Sequence, residues 1–343
     1  MTLHIHSSLA KIWFLFVYIL FSILFFSCDN PSCRESPVIS DIAIEVEHNA
    51  LEKGLRKTNS WVDVADIMNN NRAMSDYFLY AKEYPHDSIL AKRLFRLTTD
   101  PYMDTLFTEV SEQFSDIDKI VNEFQDGFKR IKYYYPNIKI PKLQTIVTGF
   151  HQDLYISDSL IVIGLDYFVG SKGSYKPNNI PNYVLKRFEK ANMLPAVFTF
   201  VSNDYHVGDL SHNTLMADMI NLGKSYYFVS RILPCADERS IIGFMPEEMK
   251  LVLENQETIW ASLIENEMLY ETDDFMKNKF VGERPNVPEI DEKCPGRVGA
   301  WVGWEIVKAY MGNNPSVTLP MLMANKDAHS IFQQSRYRPK NLK

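Results

Sequence analysis

The sequence lacks the short motifs that mark the common catalytic sites. It has no HExxH zinc helix, no GxSxG nucleophile turn, no phosphate-binding P-loop and no GxGxxG dinucleotide turn. None of its eight histidines lies four residues from another, the spacing that places two imidazoles on one helix face for zinc. Its four cysteines include no CxxC pair, which argues against a thioredoxin-like or cysteine-rich zinc site. The sequence therefore predicts no cofactor.

An excess of positive charge is also missing. The net charge is −7, and no long run of like charges and no internal repeat occurs. Nucleic-acid-binding domains need a basic stripe to face the phosphates, so this balance predicts no nucleic-acid partner. The hydrophobic content of 46% and the charged content of 23% are ordinary for a globular protein that buries a core.

An apolar run near the N-terminus indicates export. Residues 12–26 follow Lys11 and are almost all apolar, but a membrane span needs about 20 such residues. Ser27 and Cys28 follow directly, as in a bacterial lipoprotein signal, although Phe25 stands where an aliphatic residue is usual. The prediction is a signal peptide over 1–27 and a lipid on Cys28. The alternative is an uncleaved N-terminal anchor.

Both interpretations place the rest of the chain outside the cytoplasm, tethered to a membrane, and leave open whether this is the inner or the outer membrane. Residues 28–41 contain two prolines among mostly polar neighbours and are predicted to form a flexible tether. Residues 42–343 are predicted to form a single domain. Cys235 and Cys294 could pair as a disulfide in an exported protein, but spacing alone does not establish that geometry.

The order of hydrophobic patterns indicates an α+β fold that is mostly helical. Helical spacing dominates 60–135, and short β-branched runs follow at 143–150, 153–156 and 159–168. Further helices are predicted at 182–190, 195–203, 212–232, 246–268, 272–280 and 298–311. Segregated strands of this kind predict a small antiparallel or mixed sheet flanked by helices, and not a doubly wound fold.

Two segments contain candidate functional side chains. The segment 202–212 holds Asp204, His206 and His212, which are candidates for a metal site. Because Gly208 and polar neighbours make it a loop, a solvated entry to a helix capped by Ser211 or Thr214 is the preferred interpretation. The helix over 254–273 carries Glu257 and Glu265, two carboxylates to test in any acid–base role, although a solvated face is an equally simple explanation.

The helix that starts near 214 has an apolar face interrupted by Gly223, which predicts close packing against a neighbour. Asp218 and Lys224 are candidates for function on this helix. The preferred interpretation is that they belong to a solvated face, since charged residues are seldom buried.

The stretch "CPGRVGAWVGWEIVKAYM" at 294–311 places three glycines in an otherwise helical segment. Gly296, Gly299 and Gly303 fall on one side of a helix, where missing side chains allow another backbone to come close. Pro295 is predicted near the first helical position. Trp301 and Trp304 are predicted to lie in the core. Arg297 and Glu305, about two turns apart, are predicted to join a structural ion network and not a catalytic pair.

Five stretches together resemble the GldB gliding-motility lipoprotein family of Bacteroidetes. They are 164–170, 214–234, 254–273, 295–311 and 331–339, and the lipoprotein start agrees. The resemblance implies an envelope lipoprotein required for gliding motility and linked to type IX secretion, with protein partners in the motility or secretion machinery. The family motif falls here on Gly223, Lys224, Gly296, Arg297, Gly299, Trp301, Gly303, Trp304 and Glu305.

That family is similar in turn to predicted zinc-dependent peptidases of the gluzincin type. In those proteins an HExxH helix and a glutamate just before a glycine hold the metal. Here the nearest helix, 196–203, has neither histidine nor glutamate, and the residue before Gly223 is Leu222. The resemblance thus implies a degenerate zincin-like scaffold without catalysis. Two alternatives stay open: an envelope hydrolase or peptidase acting on peptide or glycan through a non-standard metal or carboxylate site, and a peptide-binding module that keeps the cleft.

Overall fold

A four-stranded mixed sheet lies at the centre of the fold. The structure is a computed structural model that describes residues 37–178, 180–207 and 213–339. The strands are β1 (His48–Ala50), β2 (Lys142–Ile146), β3 (Leu154–Ile156) and β4 (Leu160–Gly164), in the order β1-β2-β4-β3. β1, β2 and β4 are parallel, whereas β3 is antiparallel to β4, with Tyr155 opposite Val162.

The sequence-based prediction of an α+β, mostly helical fold with a small mixed sheet is confirmed. The three predicted strands are present but shorter than predicted, and β1 was not predicted. A separate hairpin, β5 (Asn286–Val287) and β6 (Asp291–Pro295), was also not predicted. β1 has three residues and β5 has two, too few to show an alternating pattern, and β6 is mostly charged.

The described residues contain sixteen α-helices. In chain order they are α1 (Leu51–Leu55), α2 (Trp61–Asn70), α3 (Arg72–Tyr77), α4 (Asp87–Thr99), α5 (Pro101–Gln113), α6 (Ile117–Tyr134), α7 (Asn182–Leu185), α8 (Lys190–Val201), α9 (Leu215–Ile232), α10 (Glu238–Ile242), α11 (Pro246–Glu254), α12 (Gln256–Glu265), α13 (Asp274–Val281), α14 (Val298–Asn313), α15 (Leu319–Ala324) and α16 (Ala328–Ser335). The single helix predicted over 246–268 is two helices, separated at Asn255.

Side-chain caps fix where several helices begin. The Ser60 hydroxyl accepts from the backbone N–H of Asp63, whose carboxylate accepts in turn from the Ser60 N–H, so α2 starts with a capping box. At α9 the Thr214 hydroxyl accepts from the Ala217 N–H, as predicted for one of its two candidate caps. Such caps satisfy N–H groups that the first helical turn cannot pair internally.

The two faces of the sheet pack into different hydrophobic cores. Along β4, Leu160 and Val162 point to one face, whereas Ile161 and Ile163 point to the other, as strand geometry requires. The first face belongs to the small core, formed by Leu51, Leu55, Val64, Met68, Met74, Phe78, Leu79, Ala81, Leu90, Ala91, Leu94, Ile146, Leu160 and Val162. The second belongs to the large core, which contains most buried residues of α5, α6, α8, α9 and α14.

Missing side chains let α9 and α14 cross in close contact. A Cβ added at Gly303 would lie 1.8 Å from the carbonyl oxygen of Met219, and one at Gly223 would lie 2.4 Å from the backbone of Gly303. Gly299 faces α13 with a less severe approach, since a Cβ there would lie 3.1 Å from the Phe280 oxygen. The glycines therefore remove side chains where neighbouring backbones meet.

Two expectations about the C-terminal region are wrong, because Pro295 and Gly296 both precede α14. Pro295 is the last residue of β6, Gly296 follows it, and α14 begins at Val298 with Arg297 as its N-cap. The structure also answers the question of a Cys235–Cys294 disulfide, which the sequence left open. Cys294 is a free thiol that is almost fully buried, so it does not pair with Cys235, which is itself disulfide-bonded. Burial raises the pKa of the Cys294 thiol to about 12, which leaves it protonated and unreactive.

The predicted signal peptide and the lipid on Cys28 lie outside the described residues. Within the described part of the chain, no helix combines the length and the apolar character that crossing a membrane requires.

Candidate functional site

A cleft of about 280 Å³ lies between β3, α8 and the segment that follows α10. We call it the arginine cleft. Its apolar lining comes mainly from aromatic and aliphatic side chains, and its polar lining includes two arginines and one glutamate. The lining residues are Asp153, Leu154, Phe168, Val184, Arg187, Phe188, Asn192, Ala196, Thr199, Phe200, Tyr226, Ser240, Ile241, Ile242, Gly243, Glu283 and Arg297. A larger depression of about 460 Å³, lined mainly by charged residues of α6 and by 233–240, contains no residue of the family motif.

Arg297 forms one wall of the arginine cleft. Its backbone φ is +61°, a value that is uncommon for a residue with a side chain. This conformation turns the chain from β6 into α14. Its Nη2 donates to the Ile242 carbonyl at 2.6 Å, and its Nε lies 3.3 Å from Oε1 of Glu283. These contacts hold the guanidinium in place and offset the cost of the backbone conformation.

Arg187 contacts the other oxygen of the same carboxylate. Its Nη1 donates to Oε2 of Glu283, whereas its buried Nε has no hydrogen-bond partner. Burial lowers the pKa of Arg187, and the charge of Arg297 lowers it further, while Glu283 and Glu248 oppose the change. Both arginine side chains are mostly buried, at 11% and 14% exposure, so two cations share one half-exposed carboxylate.

Glu305 belongs to a different ion network. Lys308 donates to Glu305 at 2.7 Å and to Glu238 at 2.7 Å, and its ammonium lies 4.2 Å from the centre of the Trp304 ring. Such a position adds a cation–π attraction to the ion pairs. Arg297 and Glu305 therefore serve separate contacts, one at each end of the first half of α14.

Trp301 and Trp304 are fully buried, as their sequence pattern indicates. The Trp304 ring lies 5.7 Å from the Tyr226 ring on α9, so it packs across the helix crossing. Neither indole N–H has a hydrogen-bond partner in the described residues. An unpaired buried donor costs about 1–3 kcal/mol, which the large apolar area of each ring must offset.

Lys224 is buried, which contradicts the expectation of a solvated face. Only 1% of the residue is exposed, and its Nζ donates to the carbonyls of Asn325 at 2.7 Å and Val207 at 3.0 Å. The expectation failed because α9 is packed by other helices on several sides, including the close crossing at Gly223. The hydrogen bonds of Lys224 therefore attach α9 to two loops.

The candidate metal ligands do not form a visible cluster. Asp204 is exposed, and His206 is half-buried with its Nε2 3.2 Å from Oδ1 of Asn221. Burial lowers the pKa of His206 to about 4, and the charge of Lys224 acts in the same direction. His212 lies outside the described residues. In the part of the chain that the structure describes, no three His, Cys, Asp or Glu side chains converge to hold a metal ion.

The candidate acids lie on two different elements. Glu257 and Glu265 are exposed on α12. Asp218 lies on α9 and pairs with Lys277 of α13 at 3.0 Å, where Lys277 also pairs with Asp274. Lys277 is almost fully buried, so this ion pair attaches α13 to α9.

Sequence reasoning did not single out Arg187, Glu283 or Asp166. No spacing rule connects Arg187 to Glu283, which lie far apart along the chain. Asp166 could have been found from the sequence, because it lies in the family-like stretch 164–170. It is fully buried and accepts from the backbone N–H groups of Thr148 at 3.2 Å and Phe150 at 2.6 Å, and burial raises its pKa to about 6.

The family model described as gliding motility protein GldB matches residues 32–339, which is most of the chain. The chain therefore belongs to the GldB family of gliding motility proteins. No curated protein and no solved structure matches it.

Proposed function

We propose that this protein is a non-catalytic lipoprotein of the cell envelope that supports gliding motility by holding a partner protein. A link to type IX secretion is part of this proposal. One observation carries the non-catalytic role: the cationic motif residues are committed to structural contacts. Lys224 binds two main-chain carbonyls, and Arg297 binds the Ile242 carbonyl and pairs with Glu283. A catalytic group must instead reach the reacting atoms of a substrate.

The side chains that face the arginine cleft from α8 support the same view. They are Asn192, Ala196, Thr199 and Phe200, a mixture of amide, hydroxyl and apolar groups. Such a lining can hold an extended chain by contact and hydrogen bonding.

The alternative is a hydrolase that uses carboxylates or a non-standard metal site. A clean deletion, complemented by variants and scored for spreading and for secretion, separates the two. The triple variant Glu257→Gln, Glu265→Gln, Asp218→Asn should restore both phenotypes to the level of the wild-type chain. If all three single variants are made in parallel and any abolishes spreading at normal protein abundance, the hydrolase interpretation gains support.

Metal content gives an independent test. The purified chain should contain no stoichiometric zinc. Zinc at one equivalent that is lost in the double variant His206→Ala, His212→Ala would refute the non-catalytic proposal.

The predicted signal and membership of this family support lipid attachment at Cys28. Cys28→Ala should abolish incorporation of a labelled fatty acid and move the protein out of the membrane fraction. Persistent labelling of that variant would refute attachment at Cys28. Stable anchoring requires more than one acyl chain, so partial acylation should give partial release.

A further inference from the structure

Cys235 has a disulfide partner that the other cysteines identify by elimination. The four cysteines of the chain are Cys28, Cys33, Cys235 and Cys294. Cys294 is a free, buried thiol, whereas Cys235 is disulfide-bonded. Cys235 must therefore bond to Cys28 or to Cys33, both of which lie outside the described residues.

The predicted lipid decides between these two partners. A lipoprotein signal ends at a cysteine whose sulfur carries the lipid, and Cys28 holds that position. A sulfur that is bonded to two carbons in a thioether has no valence left for a disulfide. Cys33 then remains as the partner of Cys235. This step rests on the proposed function, which includes the lipid on Cys28.

The surroundings of Cys235 allow a disulfide to form. Cys235 lies in an exposed turn between α9 and α10, closed by a hydrogen bond from the Ala236 N–H to the Leu233 carbonyl at 3.0 Å. Thiol–disulfide exchange requires access to the sulfur, which this turn provides and the buried position of Cys294 does not. Disulfides persist in oxidising compartments outside the cytoplasm, as expected for an exported chain.

We propose that Cys33 and Cys235 form a disulfide that keeps the turn between α9 and α10 close to the membrane. The two thiols lose two protons and two electrons when the S–S bond forms. A protein disulfide of a thiol oxidoreductase in the envelope accepts them by exchange and becomes a dithiol. The chain from Cys28 to Cys33 spans at most about 18 Å, so the lipid lies within this reach of the disulfide.

Without this bond the lipid would be attached to the domain through a much longer segment. Val46 is the first residue of the described chain that is buried, and it belongs to the large core. An extended chain from Cys28 to Val46 reaches about 60 Å. The disulfide therefore shortens the tether about threefold and selects the part of the domain that lies nearest the membrane.

The turn at Cys235 and the helix α13 lie at opposite ends of α9. This helix has 18 residues and is about 27 Å long. Cys235 follows its C-terminal end, whereas Asp218 near its N-terminal end pairs with Lys277 of α13 at 3.0 Å. The disulfide should thus keep the C-terminal end of α9 nearer the membrane, on average, than α13.

Peptide mapping tests the pairing on the full chain, purified in detergent without reductant and alkylated with iodoacetamide after unfolding. Trypsin cuts after Arg34, Arg231 and Arg239, so the disulfide should join the peptides 28–34 and 232–239. Iodoacetamide should label Cys294 before reduction, and should label the cysteines of the two linked peptides only after it. A link between Cys28 and Cys235, or labelling of Cys235 before reduction, would overturn the proposal.

The same spectra separate failure of the pairing from failure of the proposed lipid. Lipid on Cys28 together with an alkylated Cys33 would refute the pairing and keep the lipid. A linked peptide without lipid would refute lipid attachment and keep the Cys33–Cys235 bond.

Cysteine variants locate the bond independently. Cys33→Ser and Cys235→Ser should each free the other thiol for iodoacetamide. Cys294→Ser is the matched control and should keep the linked peptide. On a non-reducing gel the wild-type chain should run as a monomer and faster than Cys33→Ser, because the bond closes a loop of about 200 residues. A dimer that reduction dissociates would overturn the pairing within one chain.

Proximity to the membrane is measured in phosphatidylcholine liposomes that contain a lipid with a quencher on its headgroup. A coumarin amino acid replaces either Glu123, which is exposed and lines the same depression as Cys235, or Phe275, which is 74% exposed on α13. Quenching should be stronger at position 123. Cys33→Ser should reduce it there by about twofold, because the tether becomes about three times longer. Quenching at position 123 that is unchanged in Cys33→Ser would overturn the proposal.

Discussion

The small core and the large core share one sheet, yet their helices approach each other in different ways. In the small core a Cβ added at Gly54 would lie 3.7 Å from Cδ1 of Ile67, an ordinary packing distance. In the large core the same addition at Gly303 would lie 1.8 Å from a backbone oxygen of α9. The small core is thus held by interlocking side chains, whereas the large core depends on the absence of side chains at one crossing.

Gly303→Ala should destabilise the large core more than any other substitution proposed below. The new methyl group would overlap the Met219 carbonyl, and two helix backbones must separate to admit it. We expect a loss of about 4 kcal/mol or more in the free energy of unfolding, above the usual range for overpacking. Chemical denaturation of the purified chain measures it.

Gly312→Ala is the matched control on the same helix. A Cβ at Gly312 meets nothing within 4 Å, and alanine favours the helix by up to about 1 kcal/mol over glycine. Gly312→Ala should therefore be neutral or stabilising. Similar destabilisation by both substitutions would show that the crossing at Gly303 is not special.

The small core should lose stability when a buried side chain is shortened. Met68 is 1% exposed on α2, so Met68→Ala should cost about 2–5 kcal/mol through lost burial and a residual cavity. Val62 on the same helix is 48% exposed, and Val62→Ala should change stability by less than about 0.5 kcal/mol. Thermal and denaturant unfolding of both variants provide the comparison, and equal effects would contradict it.

Asp166 allows a test by pH. Its pKa is raised to about 6 by burial, so between pH 4 and 6 the folded chain keeps a proton that the unfolded chain has lost. The contribution of this group to stability therefore falls as pH rises through that window, by about 2–3 kcal/mol in total. Asp166→Asn removes this dependence, because an amide does not ionise. Its stability relative to wild type should rise between pH 4 and 7 and stay level above.

Asp63 should change stability with pH in the opposite direction. It is exposed in the capping box of α2, and hydrogen bonds from the backbone N–H groups of Asn59 and Ser60 lower its pKa. Its stabilising contribution is present above its ordinary pKa and is lost as pH falls. Asp63→Asn should therefore lose stability relative to wild type as pH rises out of the acid range. A difference that stays flat with pH in both variants would contradict the assigned pKa directions.

The smallest effects are expected on the outer face of α12. Glu257→Gln and Glu265→Gln should each change stability by less than about 0.5 kcal/mol, because both side chains are solvated. Leu263 on the same helix is fully buried in the large core, and Leu263→Ala should cost about 2–5 kcal/mol. A large effect of either glutamine variant would mean that α12 has a contact partner on its solvated side.

Elements with their own local signal were predictable. The strands β2, β3 and β4 follow from short β-branched runs, and α9 starts at a cap visible as Thr214. The glycines of α14 indicated a close neighbour because glycine is otherwise costly in a helix. The identity of that neighbour did not follow, since the contact joins Gly303 to Met219, far away along the chain.

The candidate site was less predictable than the fold. Arg297 was recognised from its motif, but its partner Glu283 and the second cation Arg187 were not. The interpretation of Lys224 as a surface residue was also wrong. It rested on the rule that a charged residue in a helix is usually at the surface. Here two main-chain carbonyls from separate loops satisfy its ammonium, and no local pattern encodes such a pairing.

By itself the sequence determined the fold class, the positions of three of the four strands of the mixed sheet, the close-packing role of the α14 glycines and the resemblance to the GldB family. These features depend on periodicity, caps and residue size, which act over a few neighbouring residues. Only the tertiary structure decided that Lys224 is buried, that Cys294 stays free, and that Arg187 and Arg297 meet at Glu283. Those outcomes depend on which distant segments come together, because burial and charge pairing are set by neighbours in space and not by neighbours in the chain.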